Sequence, residues 1–110
     1  MPKYLLQATY NQTGVQGVLK EGGTARREAL RQAAESLGGS LDAFYFAFGD
    51  VDVYCIVDLP SNVVALKGSL LGNAAGTNQV RYTVLATPEE VDEAAESARS
   101  SMDAYRAPGK

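Results

Sequence analysis

The stretch from Phe44 to Asp58 limits the possible folds of this chain more than any other. Alternating residues on either side of Gly49-Asp50 predict two antiparallel strands joined by a two-residue turn. The first central residue of such a turn has to tolerate positive φ, and Gly49 does so without steric cost. That turn fixes the register. Phe48 then lies opposite Val51, Phe46 opposite Val53 and Phe44 opposite Cys55 on one face. Ala47 opposite Asp52, Tyr45 opposite Tyr54 and Ala43 opposite Ile56 make up the other. The first face is uniformly apolar and is expected to lie under helices. The second mixes phenols, a carboxylate and an aliphatic side chain, as a surface open to a partner or ligand would.

The flanking sequence supplies the remaining elements. Lys3 to Tyr10 alternates as a strand, with Tyr4, Leu6, Ala8 and Tyr10 on one face, and Asn11-Gln12-Thr13-Gly14 breaks it. Val15, Val18 and Leu19 predict a short helical turn before Gly22-Gly23. Thr24 is a suitable N-cap for a helix to about Leu37, striped by Leu30, Ala33, Ala34 and Leu37 and stopped by Gly38-Gly39. After the hairpin, Ser61 begins a helix with Val63, Leu66, Leu70 and Ala74 at helical spacing, ended by the loop from Gly72 to Gly76. Gln79 to Ala86 alternates as a fourth strand. Thr87-Pro88-Glu89-Glu90 is a capping box with proline at the first helical position. The helix it opens carries Val91, Ala95, Ala98, Met102 and Tyr105 and is expected over about residues 88–105, followed by a frayed tail from Ala107 to Lys110. The order β-α-β-β-α-β predicts an α+β, ferredoxin-like domain with a four-stranded antiparallel sheet, plus an added C-terminal helix.

Composition excludes several classes of function. The 110 residues suit one domain with its own core. A net charge of -3 without a basic block removes the usual driver of nucleic-acid binding. No apolar run approaches the roughly 20 residues of a membrane-spanning helix. With one cysteine, no leader-like start and no internal disulfide possible, a cytoplasmic location is expected. Histidine is absent, which removes the commonest general base and transition-metal ligand. No metal or cofactor site is expected.

The ferredoxin-like order, the opening Tyr4-Leu5-Leu6 strand, the Asn11-Gln12-Thr13-Gly14 break and the turn Phe48-Gly49-Asp50-Val51-Asp52-Val53 together resemble the GYD family. These are small bacterial proteins related to the dimeric α+β barrel group. The resemblance covers about residues 3–86. Val51 stands where the family motif usually carries an aromatic residue, most often Tyr. The resemblance implies a homo-oligomer built through the open sheet face and implies no agreed reaction.

Two functional classes follow. The first is an oligomeric small-molecule binding or interaction module, with Tyr45, Tyr54 and Arg81 as ligand contacts on the open face and Gly49 and Asp50 purely as turn residues. The second is a cofactor-free isomerase, dehydratase or oxygenase of the dimeric α+β barrel type. There Asp52 would be the general base, raised in pKa by desolvation once a partner closed over it. The missing histidine and motif aromatic favour the first class. Cys55, alternating with Val53 and Val57, reads as a core residue with nothing to activate its thiol. The cluster of Lys20, Arg26, Arg27 and Arg31 reads as a solvated face, with an anion site near that helix start as the lesser alternative. Leu5, Tyr45, Tyr54, Ile56 and Leu85 form an apolar open face that is uncommon in a monomer.

Overall fold

A computed structural model describes residues 1–109. Four strands, β1 (Lys3–Tyr10), β2 (Ser40–Phe46), β3 (Val53–Asp58) and β4 (Asn78–Leu85), form one antiparallel sheet in the order β2-β3-β1-β4. The helices are α1 (Gln12–Glu21), α2 (Gly23–Ser36), α3 (Asn62–Ala74) and α4 (Pro88–Arg99). With its two crossovers between β1 and β2 and between β3 and β4, this is the expected α+β, ferredoxin-like arrangement.

The alternation in β1 and β3 places the core. Tyr4, Leu6 and Ala8 meet Val57, Cys55 and Val53 across the central strand pair, and all six are buried. Leu59, Ala34 of α2 and Ala65 of α3 complete the core. Tyr4 meets the ring of Tyr82 edge-on and donates its hydroxyl hydrogen to Asn62 Oδ1 at 2.6 Å, so its polar tip is satisfied where the ring is buried.

The hairpin keeps its expected register, with Phe44 opposite Cys55, Tyr45 opposite Tyr54 and Phe46 opposite Val53. A bulge at Asp42 shifts the pairing farther back. The expected two-residue turn is wider, because regular pairing stops at Phe46 and Val53 and only the bond from the Ala47 amide to the Asp52 carbonyl, 2.8 Å, continues it. Gly49 does adopt positive φ, +142°. Phe48, placed under the helices from sequence, is fully exposed. The helical layer ends at Gly23, whose Cα sits against the Phe46 ring, and Phe48 lies beyond it.

Other boundaries also move. The expected short turn after β1 is the ten-residue helix α1, capped by Asn11, whose side chain accepts from the Gly14 amide. α2 starts at Gly23 with Gly22 as its cap instead of Thr24. Ser61 caps α3 as expected. The apolar stripe of α3 faces outward, however, and Val63, Leu66 and Leu70 are each more than 60% exposed. Ala65, Gly68 and Gly72 face the sheet instead. A Cβ on Gly68 would come within 2.7 Å of the Tyr82 hydroxyl, and one on Gly72 within 3.1 Å of Val80. The small residues therefore win the inner face, because only they allow the helix this close to β4.

The capping box at Thr87 forms with both of its hydrogen bonds. Helix α4 ends at Arg99, short of the expected residue 105, with a separate 3-10 turn at Met102–Ala104. None of its residues is buried. The radius of gyration is 17.7 Å and the longest dimension 58 Å, against about 13 Å for the radius of a compact domain of this size. The difference reflects α4 reaching away from the sheet. The expectation of a frayed tail falls in part on Lys110, which lies outside the described residues.

Candidate functional site

The open face of the sheet is ordered in rows by the strand register. One row runs Tyr45, Tyr54, Gln7, Arg81 across β2, β3, β1 and β4. A second runs Ala43, Ile56, Leu5, Thr83. Tyr45 and Tyr54 are direct cross-strand neighbours, 72% and 39% exposed. Arg81 lies on the same face but beyond Gln7, so two strand spacings, about 10 Å, separate it from Tyr54. One ligand touching all three would span most of the sheet. Lys3 closes the far end of this face by pairing with Asp58 and with the bulged Asp42, and those bonds raise its pKa. As exposed pairs they add little stability.

Asp52 sits at the mouth of the hairpin, where the chain leaves β2 to pair with β1. Its amide, its carbonyl and one carboxylate oxygen are all engaged. Its amide donates to the Ala8 carbonyl at 3.0 Å and its carbonyl accepts from Ala47. Its carboxylate accepts from the Tyr10 amide at 2.8 Å. The carboxylate thus stands in for the backbone acceptor that β1 loses when β3 ends, a structural task that explains an Asp at this place. Asp50 contributes its carbonyl to the Thr9 hydroxyl across the same turn. Cys55 is buried, and burial pushes its thiol up to about 12, the opposite of what a nucleophile needs.

The opposite face holds a cleft that the sequence does not announce. Helix α2 packs over the edge strand β2 and α3 over the other edge strand β4. Between them remains a cavity of about 280 Å³ whose floor is Leu6, Ala8 and Val53. Its walls are largely apolar, with Leu30 and Leu37 from α2, Phe44 from β2 and Leu71 from α3. Polar groups gather at one end. Tyr10 and Asn78 are cross-strand partners there, and Arg26 from the first turn of α2 lines the cleft with them, its charge acting on the Tyr10 phenol. The Asn78 Oδ1 is buried without a hydrogen-bond partner. Burial raises the Tyr10 phenol and takes that of Tyr82 to about 12, so both stay protonated donors at neutral pH. Sequence groups Arg26 with a solvated basic face, but its place is at this cleft. Its isolation in sequence from Tyr10 and Asn78 concealed the cluster. The four-residue spacing of Gly68 and Gly72 was the one local hint.

Among the described residues, no group of three or more His, Cys, Asp or Glu stands close enough to hold a metal ion. No described helix is long and apolar enough to cross a membrane.

Together the sheet order, the helices on one face and the appended helix define a ferredoxin-like α+β domain. The family model for the GYD domain matches residues 4–95, and the chain belongs to that family. The match runs past β4 through the first two thirds of α4. No curated protein and no solved structure matches the chain.

Proposed function

We propose that this GYD-domain protein is a homo-oligomeric small-molecule binding or interaction module assembled through the open face of its sheet. One observation carries the reading: the face opposite the helices presents Tyr45, Tyr54, Ile56, Leu5 and Leu85 in adjoining rows, and among the described residues no helix is layered over them. Burying such side chains contributes roughly 1.5–3 kcal/mol each, enough together to favour association. Tyr45 and Tyr54 suit an interface that is partly wet, with their rings covered and their hydroxyls paired. Arg81 would supply the charge at its edge.

Native mass spectrometry of the full chain, compared with its denatured mass, tests this reading. An oligomer is expected from the wild type, and Ile56→Asp, at the centre of the face, is expected to convert it to monomer. A wild-type monomer at micromolar concentration would overturn the assembly. So would an oligomer that survives Ile56→Asp but dissociates on Leu66→Glu, because the contact would then run through the outward stripe of α3.

A further inference from the structure

We infer that the cleft between α2 and α3 is a binding site for a small aromatic acid carrying a hydroxyl group, held by Arg26 and Asn78 at its polar end. This rests on the small-molecule part of the proposed function and not on the mode of assembly, and it puts the ligand on the helical face, away from Tyr45, Tyr54 and Arg81.

Size, lining and polar groups lead to the same class of ligand. A volume of about 280 Å³ lies just below the roughly 300–1,000 Å³ of ligand pockets, so the occupant is small. The floor of Leu6 and Ala8 and the walls of Leu30, Leu37 and Phe44 favour a flat apolar body. Arg26 provides a planar cation suited to a carboxylate. Lys3 pairs with Asp42 and Asp58, and Arg31 with Glu28 and Glu35, whereas Arg26 forms no ion pair among the described residues. Tyr10 lines the cleft beside Arg26, and its phenol has an O–H to donate to the same anion. The Asn78 Oδ1 is a buried acceptor with no donor, and leaving it so is costly. A ligand hydroxyl repairs that deficit. The Asp52 carboxylate, on the Tyr10 backbone, is the nearby charge that opposes an anion here.

Titrating the full chain with 3-hydroxybenzoate, benzoate and phenol while following backbone and methyl NMR signals separates the contributions. The expected order has 3-hydroxybenzoate tightest, with signals of Leu30, Leu37 and Leu71 moving. Loss of the carboxylate in phenol should weaken binding about tenfold or more. Loss of the hydroxyl in benzoate should cost several-fold, since Asn78 stays unpartnered. Arg26→Gln, on a half-exposed side chain, should bring 3-hydroxybenzoate down to the level of phenol. Asn78→Asp, which keeps the shape and adds a like charge, should weaken both acids and spare phenol. Equal affinity of 3-hydroxybenzoate for wild type and Arg26→Gln overturns the site. Absence of any shift at millimolar acid also overturns it. Shifts confined to Tyr45, Tyr54 and Arg81 would overturn the cleft assignment while leaving the small-molecule reading intact. A monomeric protein that still binds in this pattern would sink the proposed assembly and leave the cleft standing.

Discussion

The strand pair β1–β3 and helix α4 are held in place by different things. Tyr4, Val53, Cys55 and Val57 are almost wholly removed from water, and their positions follow from contacts between residues about fifty apart in sequence. Helix α4 has the best local signals of any element, with a complete capping box, proline at its start and acidic residues in its first turn, yet no residue of it is buried. Local chemistry is therefore sufficient to shape a helix and insufficient to place it. Placement requires an apolar surface to receive the stripe, and α4 buries none of its residues against one within its own chain.

Core truncation gives the largest expected contrast. Leu59→Ala should cost about 2–5 kcal/mol of unfolding free energy, as buried leucines do. Val91→Ala in α4 should stay within about 0.5 kcal/mol. Urea denaturation of both variants measures the difference, and a large loss at Val91 would mean that α4 is docked in the assembled protein. Next, Asp52→Ala should cost about 1–3 kcal/mol by leaving the Tyr10 amide unpaired, with Asp52→Asn recovering most of it because the amide oxygen still accepts. Equal losses for the two variants would show that the charge matters and not the hydrogen bond.

Alkaline pH should act on the strands first. The Cys55 thiol and Tyr82 phenol are raised from 9.0 and 10.0 to about 12 by burial. Between those limits the unfolded chain holds fewer protons than the folded one, so stability falls as pH rises, by about 1.4 kcal/mol per pH unit for each group. Below pH 9 neither group contributes a slope. Denaturation midpoints from pH 8 to 11 should bend downward above 9, and Cys55→Val should delay the bend toward 10. The smallest effect belongs to Thr87→Ala. It should remove about 0.5–2 kcal/mol from α4 alone, lowering helical circular dichroism while the main unfolding midpoint stays fixed. A midpoint that moves with it would break the contrast between the two regions.

Much of the fold was legible because its signals are short-range. The pairing of Tyr45 with Tyr54 follows from alternation around one turn, and the starts of α3 and α4 follow from Ser61 and Thr87. The misplacements share a cause. Alternation puts Phe48 under the helices, and helical spacing groups Val63, Leu66 and Leu70 in one stripe without saying which way it faces, but how far the helical layer extends and how closely α3 approaches β4 decide these positions, and both are tertiary facts. At the candidate sites, the open-face row could be read once the hairpin register was known. The cluster of Tyr10, Arg26 and Asn78 could not, since it needs the β1–β4 register and the seat of α2 together.

The projection of α4 also bears on how the protein behaves as a colloid. Residues 1–87 carry seven acidic and seven basic side chains, whereas residues 88–110 carry six acidic and three basic. The entire net charge of -3 thus lies in the C-terminal segment that α4 opens. Proteins without net charge tend to associate and precipitate. The segment therefore supplies the charge that keeps separate particles, whatever their subunit number, from clumping, and the folded body, electrically balanced by itself, would lose that protection near neutral pH if residues 88–110 were cut away.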